Sequence, residues 1–436
     1  MKKDILKRKK LLLVNWGTQD KVYPFQVAKK MGLVLYLATT AKYPNWVKNF
    51  VDEKNIIITN PYDSEKLITD VFNYMENSRV SFDGVTTFFE MSIIPTADLA
   101  SVLSLPFLSS EAARRSSGNK LVMRIISKKA GINTPDFFSF TSYHEGMEKS
   151  GVLKYPAVIK PIRSGHGFGA IKIEKKEDFV ECFLLAKNQR NHIYDEWMDY
   201  YDLYKNDWIV EQYIPGKVIS VDGLVQNNKL FIIGTTEFFM GKEPFLVQEG
   251  ECIPARISFS LEKRARNLVS RLIKILGFDN CGFHCELRLT KKETYLLEIA
   301  GRPPGGNILE EYHLSTGINF AEKYISIALG EKIKIKKNKK DKHVFIKSII
   351  PSDSGILKEI YGLDYLSTYK NLTVQVHKNK GSVINRIYGL SDSIITVKGS
   401  CNKEKYMNEI LRTIESKIKI DIDSSFVNRI LSKITN

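Results

Sequence analysis

Cysteine is scarce: the chain of 436 residues has five, at no regular spacing. That excludes the disulfide framework of small secreted domains and favours a reducing, cytoplasmic setting. Long apolar runs are missing too. The basic start Met1–Lys10 leads into only four apolar residues, Leu11–Val14, too few for a signal-peptide core. No stretch approaches the length of a membrane span. Acidic residues fall short of basic ones, 49 against 65, for a formal charge of +16. Such an excess attracts nucleic acid, acidic membranes or anionic nucleotides. The lysines are scattered, however, gathering mainly at the termini and in Lys332–Lys342. An RNP-type aromatic motif, a zinc finger and a helix-turn-helix pattern are all lacking. An intracellular, soluble protein with neither nucleic acid nor membrane as partner is therefore expected.

The remaining composition is that of a globular protein, 43% hydrophobic and 26% charged. The length exceeds what one core usually supports, so two or three lobes are expected. Short apolar runs at Leu11–Val14, Val34–Leu37, Ile56–Thr59 and Gly84–Phe88 read as strands. Helical patterns at Val22–Met31, Ser64–Asn77 and Ile94–Leu103 lie between them. That alternation predicts an α/β domain with a parallel sheet over residues 1–115.

Beyond it the texture changes. Asn119–Ala130, Asp178–Asn188 and Leu261–Leu276 read as helices, the last stopped by Gly277. Ala157–Lys160, Ala170–Glu174, Trp208–Tyr213, Val218–Gln226 and Leu230–Glu237 read as strands, and Gly282–Leu289 with Thr294–Ile299 as a hairpin. The aromatic and acidic His192–Asp207 reads as an inserted loop or irregular helix, and Lys332–Lys342 as a linker or an exposed turn. Strands at Val344–Ile350, Thr373–His377 and Ser393–Lys398 and a helix at Lys403–Ile418 close the chain.

Three segments carry chemistry. In Tyr155–Ala170 a strand ends at Lys160 and runs into a turn with Gly165, Gly167 and Gly169. Glycines let backbone N–H groups close on an anion, and the lysine adds fixed charge. It is not a Walker A loop, and read alone it is equally well a flexible hairpin. Trp208–Asp222 is a strand, the turn Pro215–Gly216 and a second strand. Its extended backbone suits the edge of an adenine ring, with Glu211 as an acceptor. In Cys281–Gly306, period-two alternation puts His284, Glu286 and Arg288 on one face and Cys285, Leu287 and Leu289 on the other. The next strand puts Leu296, Glu298 and Ala300 together. If the faces of Glu286 and Glu298 coincide, two carboxylates converge as a hard cation requires. Arg302 follows, suited to a carboxylate or phosphoryl group. A zinc site at Cys281, His284 and Cys285 is disfavoured, because parity sets the histidine opposite both cysteines.

Taken in order, these segments resemble the ATP-grasp superfamily, in its carboxylate–amine and amino-acid (dipeptide) ligase branch. The resemblance implies an α/β fold. A parallel-sheet domain (1–115) precedes a two-lobed ATP-grasp core (116–330, lid lobe about 130–207) with ATP between two sheets. A small α+β lobe (331–436) completes it. Lys120 takes the place of the first nucleotide lysine and Lys160 of the second. Ser164, Gly165, His166, Gly167 and Gly169 form the mobile lid. Glu211, Gln212, Tyr213 and Ile214 form the adenine hinge, and Leu287 is a further ATP-binding residue. Glu286 and Glu298 hold two Mg²⁺ ions, with Mn²⁺ as the substitute. Arg302, Lys160, Gly305 and Gly306 are the implied catalytic groups, and Glu90, His284, Arg302 and Asn307 the substrate-binding ones.

The implied reaction joins a small acid to an amine through an acyl phosphate, releasing ADP and phosphate; a homodimer is compatible. Phe238–Ile253, with Glu243, Glu249 and Glu251, and the turn Pro303–Asn307 are expected to line the substrate pocket. Two positions depart from the family pattern. Ala300 stands where a third metal ligand is common, and Val218 where a ribose-binding glutamate is common. A carboxylating or purine-pathway ligase and a catalytically decayed nucleotide-binding regulator are the alternatives.

Overall fold

The computed structural model describes residues 8–18, 21–163, 169–191, 207–336, 342–351, 353–384 and 393–425. The first sheet has the order β3-β2-β1-β4, all parallel, from β1 (Lys10–Val14), β2 (Val34–Thr39), β3 (Ile56–Ile58) and β4 (Gly84–Thr86). Helices α1 (Val22–Lys30) and α2 (Ser64–Ser78) connect strands of this sheet, and α3 (Ile93–Val102) follows β4. Leu11, Leu12, Leu13 and Val14 are buried on both faces, as a central parallel strand demands. β4 stops at Thr86, short of the expected Phe88. The Thr87 hydroxyl donates to the Val14 carbonyl, and its oxygen accepts from the Phe89 amide, so the chain turns away.

After α4 (Ser110–Ser116) comes α5 (Lys120–Lys129), whose Asn119 side chain accepts from the Val122 amide as N-cap. A small antiparallel sheet, order β5-β8-β6-β7, uses β5 (Phe137–Phe140), β6 (Ala157–Pro161), β7 (Ile171–Ile173) and β8 (Trp208–Gln212). With α6 (Tyr143–Lys149) and α7 (Phe179–Asn191) it has its own core of Phe138, Phe140, Ile159, Phe179, Phe183 and Trp208.

The largest sheet is antiparallel, order β13-β12-β9-β10-β11-β14-β18-β16. Its strands are β9 (Lys217–Gln226), β10 (Lys229–Met240), β11 (Gln248–Ile253), β12 (Cys281–Leu289), β13 (Thr294–Ala300), β14 (His343–Ile349), β16 (Leu372–Val376) and β18 (Ile395–Cys401). Helix α8 (Phe259–Leu276) packs on one face and ends on Gly277, whose φ of 74° is the left-handed cap glycine tolerates. Helices α9 (Ile308–Thr316) and α10 (Phe320–Ala328) follow. The strands of the expected C-terminal segment (331–436) join the central sheet: β14 pairs with β11, and β18 and β16 extend it. A three-stranded sheet of β17 (Val383–Ile384), β15 (Gly355–Tyr361) and β19 (Lys419–Asp423) lies with α11 (Leu363–Ser367) and α12 (Glu404–Lys417). No helix among the described residues is long and apolar enough to cross a membrane. The expected loop His192–Asp207, except Asp207, and residues 337–341 of the expected linker lie outside the described residues.

Candidate active site

A cleft of about 820 Å³ opens between the small sheet and the large one, and its wall reaches the ends of β14, β16 and β18. β12 turns His284, Glu286 and Arg288 into it and buries Cys285, Leu287 and Leu289 in the core, as alternation predicts. Leu287, expected to bind ATP, is therefore completely buried on the opposite face. Glu286 is the register partner of Glu298, so the two carboxylates do converge. One step on, Leu287 faces Leu296, which makes Leu297 the extra residue of a β-bulge. The bulge breaks the expected parity. Leu296 joins the core, whereas Leu297 lines the cleft beside Glu298. The Glu286 and Glu298 side chains are 35% and 33% exposed, open acceptors rather than satisfied core groups.

Two lysines face them. Lys120, in the first turn of α5, sets its Nζ 3.5 Å from a Glu298 oxygen. Lys160, on β6, pairs with Glu211 at 2.6 Å. The other Glu211 oxygen accepts from Arg124 Nε at 2.6 Å. Arg124 also donates to the Leu296 and Leu297 carbonyls, both at 2.7 Å. This fully buried arginine thus ties the Lys120 helix to the hinge strand and to the bulge before Glu298. Burial would raise the Glu211 carboxyl, but Arg124 and Lys160 bring it down to about 2. Burial lowers the Lys160 ammonium against the pull of Glu211. The Glu211 side chain is consequently occupied and does not serve as the acceptor expected at the hinge. Of the hinge amides, Gln212 and Tyr213 donate to Asp136 and Pro156 at 2.8 and 2.9 Å. The Ile214 amide makes no hydrogen bond among the described residues.

Behind Glu286 lies a buried network that the sequence reading missed. His284 Nδ1 is 2.5 Å from Asp222, and its Nε2 is 3.3 Å from Glu286. Asp222 Oδ2 accepts from Tyr312 and from Ser220, each at 2.6 Å. Burial alone would lower the His284 imidazole, yet Asp222 and Glu286 raise it to about 9. Burial would likewise raise Glu286, but the bond and charge of His284, with Lys160 and Lys120, hold it below the carboxylate range.

At the other end of the carboxylates, Arg302 Nε pairs with Glu90 at 2.7 Å, and Glu90 accepts from the Gly118 amide at 3.1 Å. Burial raises the Glu90 carboxyl against the opposing charge of Arg302. Gly305, Gly306 and Asn307 line the cleft as well, so Glu90, His284, Arg302 and Asn307 all stand on its wall. Of the three acids expected on Phe238–Ile253, Glu243 is taken by Lys172 at 2.6 Å and Glu249 by Lys347 at 2.8 Å. Only Glu251 lines the cleft. Val218 also lines it, and Ala300 adjoins Glu298 without a donor side chain. Ser164, Gly165, His166 and Gly167 lie outside the described residues; Gly169, with φ +71°, donates to Gln189. Lys21 and Lys398 are further cations on the cleft wall. Two open carboxylates flanked by lysines form an oxygen-only donor set, which fits Mg²⁺ or Mn²⁺ in company with phosphate oxygens.

Residues 153–311 match the model of the ATP-grasp domain. That span runs from just before the Lys160 strand through both glutamates. Among curated proteins, the chain is similar to D-alanine–D-alanine ligase of Aquifex aeolicus, 28% identical over 38% of this chain and 59% of the relative. It is also similar to formate-dependent phosphoribosylglycinamide formyltransferase of Wolinella succinogenes, 25% identical over 45% and 46%. The chain thus spans about half the length of these curated relatives. Among solved structures, the L-amino acid ligase of Bacillus licheniformis superposes with a TM-score of 0.77. That match covers 96% of this chain and 99% of the other at 22% identity, a likeness of fold.

Proposed function

From the premise that the chain carries an ATP-grasp domain, we propose that it is an ATP-dependent carboxylate–amine ligase acting on an amino acid or small peptide. The observation that carries this reading is the register pairing of Glu286 with Glu298, facing Lys120 and Lys160 across one cleft. Glu286 and Glu298 would hold Mg²⁺, which when bound would supply charge neutralisation for the nucleotide. Lys120 and Lys160 place two further positive charges at the same end. The hinge of Gln212 to Ile214 offers backbone groups to the base. The substrate carboxylate attacks the γ-phosphate of ATP, giving an acyl phosphate and ADP. The amine then attacks the acyl carbon, and phosphate leaves. Positioning and charge stabilisation dominate such a reaction. Arg302, oriented by Glu90, would steady the acyl phosphate. His284, held by Asp222, orients Glu286.

The likeness to the formyltransferase favours a second reading, in which formate or bicarbonate is the acid. An ADP-release screen separates the two. Amino acids are supplied singly and in pairs, alongside formate and bicarbonate. Release that requires a pair of amino acids supports the ligase, and release with formate or bicarbonate supports the second reading. AMP as the product rules out the acyl-phosphate route, and no release with any carboxylate leaves a nucleotide-binding regulator.

A further inference from the structure

One arm of the cleft takes no part in the chemistry above. β11 is three strands from β12 in the large sheet, and strands lie about 4.8 Å apart, so Glu251 is roughly 14 Å along the sheet from Glu286. Glu251 pairs in register with Ile346, and Ile346 with Lys398. The three form one row across adjacent strands, and all line the cleft. Helix α9 packs over β10, β11 and β14. On it, Glu311 follows the cleft-lining Asn307 and Ile308 by four and three residues, so it shares their helix face and lies just behind the cleft wall. Glu311 is 3% exposed, and among the described residues neither carboxylate oxygen has a hydrogen-bond partner. Glu251 accepts one bond, from Gln248 at 2.9 Å. Lys398 donates to Asn307 at 3.4 Å.

A buried carboxylate without a donor is costly. Two carboxylates with one resident cation, Lys398, call for a second positive charge. In the free protein a proton supplies it: burial and then the charge of Glu251 push Glu311 far up, and burial raises Glu251 to about 7. Other ionisable groups nearby are Glu310, Tyr312 and Cys252. The last two are held neutral, their hydroxyl and thiol raised chiefly by burial. His377 and Lys378 line the cleft beyond Lys398.

We propose that Glu251 and Glu311, beside Lys398, form a subsite for a positively charged ammonium or guanidinium group of the substrate. A basic amino acid or a short basic peptide then spans from this pair to the phosphate end. The word substrate rests on the ligase reading; the binding of the cation does not. On binding, the cation replaces the proton that Glu311 holds, and below pH about 7 protonation of Glu251 competes with it as well.

Calorimetric titration of the full chain with MgADP present, using L-arginine and its neutral isostere L-citrulline, tests this. At pH 7, arginine is expected to bind at least about tenfold more tightly. Its binding should release up to about one proton, read from buffers of different ionisation enthalpy. E251Q and E311Q should each reduce arginine affinity to that of citrulline. Equal affinities in the wild-type protein, or an arginine advantage that survives in both variants, overturn the subsite. If arginine is preferred but no amino-acid pair yields ADP, the subsite stands and the ligase reading fails. If neutral pairs yield ADP and arginine has no advantage, the reverse holds.

Discussion

Replacing Arg124 by leucine removes a side chain that joins the Lys120 helix, the hinge strand and the strand of Glu298. The loss leaves Glu211 buried with Lys160 as its remaining partner, and two carbonyls without their donor. Removing one member of a buried ion pair costs about 3–5 kcal/mol. The fall of the Glu211 carboxyl from 4.5 to about 2, about 3 kcal/mol, is the joint effect of Arg124 and Lys160, so Arg124 accounts for only part of it. The folded value lies below the unfolded one. This stabilisation is therefore complete above pH about 4.5 and is lost as pH falls towards about 2. Urea unfolding followed by tryptophan fluorescence at pH 7 should show a lower midpoint for R124L at unchanged slope. The difference between R124L and the wild-type protein should narrow as the pH drops through that window. MgADP affinity should fall as well, because the lysine helix and the bulge lose their common anchor. A midpoint and an MgADP affinity both equal to wild type would refute the assignment of Arg124 as the tie.

Three further outcomes follow from the geometry. E286Q and E298Q should each lower ADP release by about 10²–10³-fold, while their unfolding midpoints stay near wild type because both side chains are part-exposed. Gly216→Ala should destabilise by about 1–3 kcal/mol, since φ is +146° and a Cβ would run into the Leu289 carbonyl; thermal denaturation measures it. Glu243→Ala removes a partner of Lys172 that is 43% exposed, and should cost less than about 1 kcal/mol in the same measurement.

Much of this was legible in the chain because local periodicity writes it there. Leu11–Val14 and its neighbours alternate with helices, and a parallel sheet follows. His284, Glu286 and Arg288 share a face because strands have period two. What was hidden is long-range. The bulge at Leu297 arises only when β13 pairs with β12, and it reverses the expected parity of Leu296. Arg124 sits mid-helix like any amphipathic arginine, and its partners lie 87 and 172 residues away. Glu211 resembled a free acceptor until those partners arrived. Asp222 lies in a run of apolar strand residues, where a carboxylate needs a partner, so it was the one signal for the His284 network. The joining of β14 to β11 brings Lys398 beside Glu251, across 147 residues of sequence without a local trace.

The central claim is that a substrate carboxylate takes the γ-phosphoryl group of ATP in the cleft between Lys120, Lys160 and the two glutamates. Its most direct test uses the acid that supports ADP release, labelled with ¹⁸O in the carboxyl group, with the phosphate product read by mass spectrometry. An acyl phosphate formed by carboxylate attack and broken by an amine leaves one labelled oxygen in the phosphate. Unlabelled phosphate alongside turnover would contradict the account.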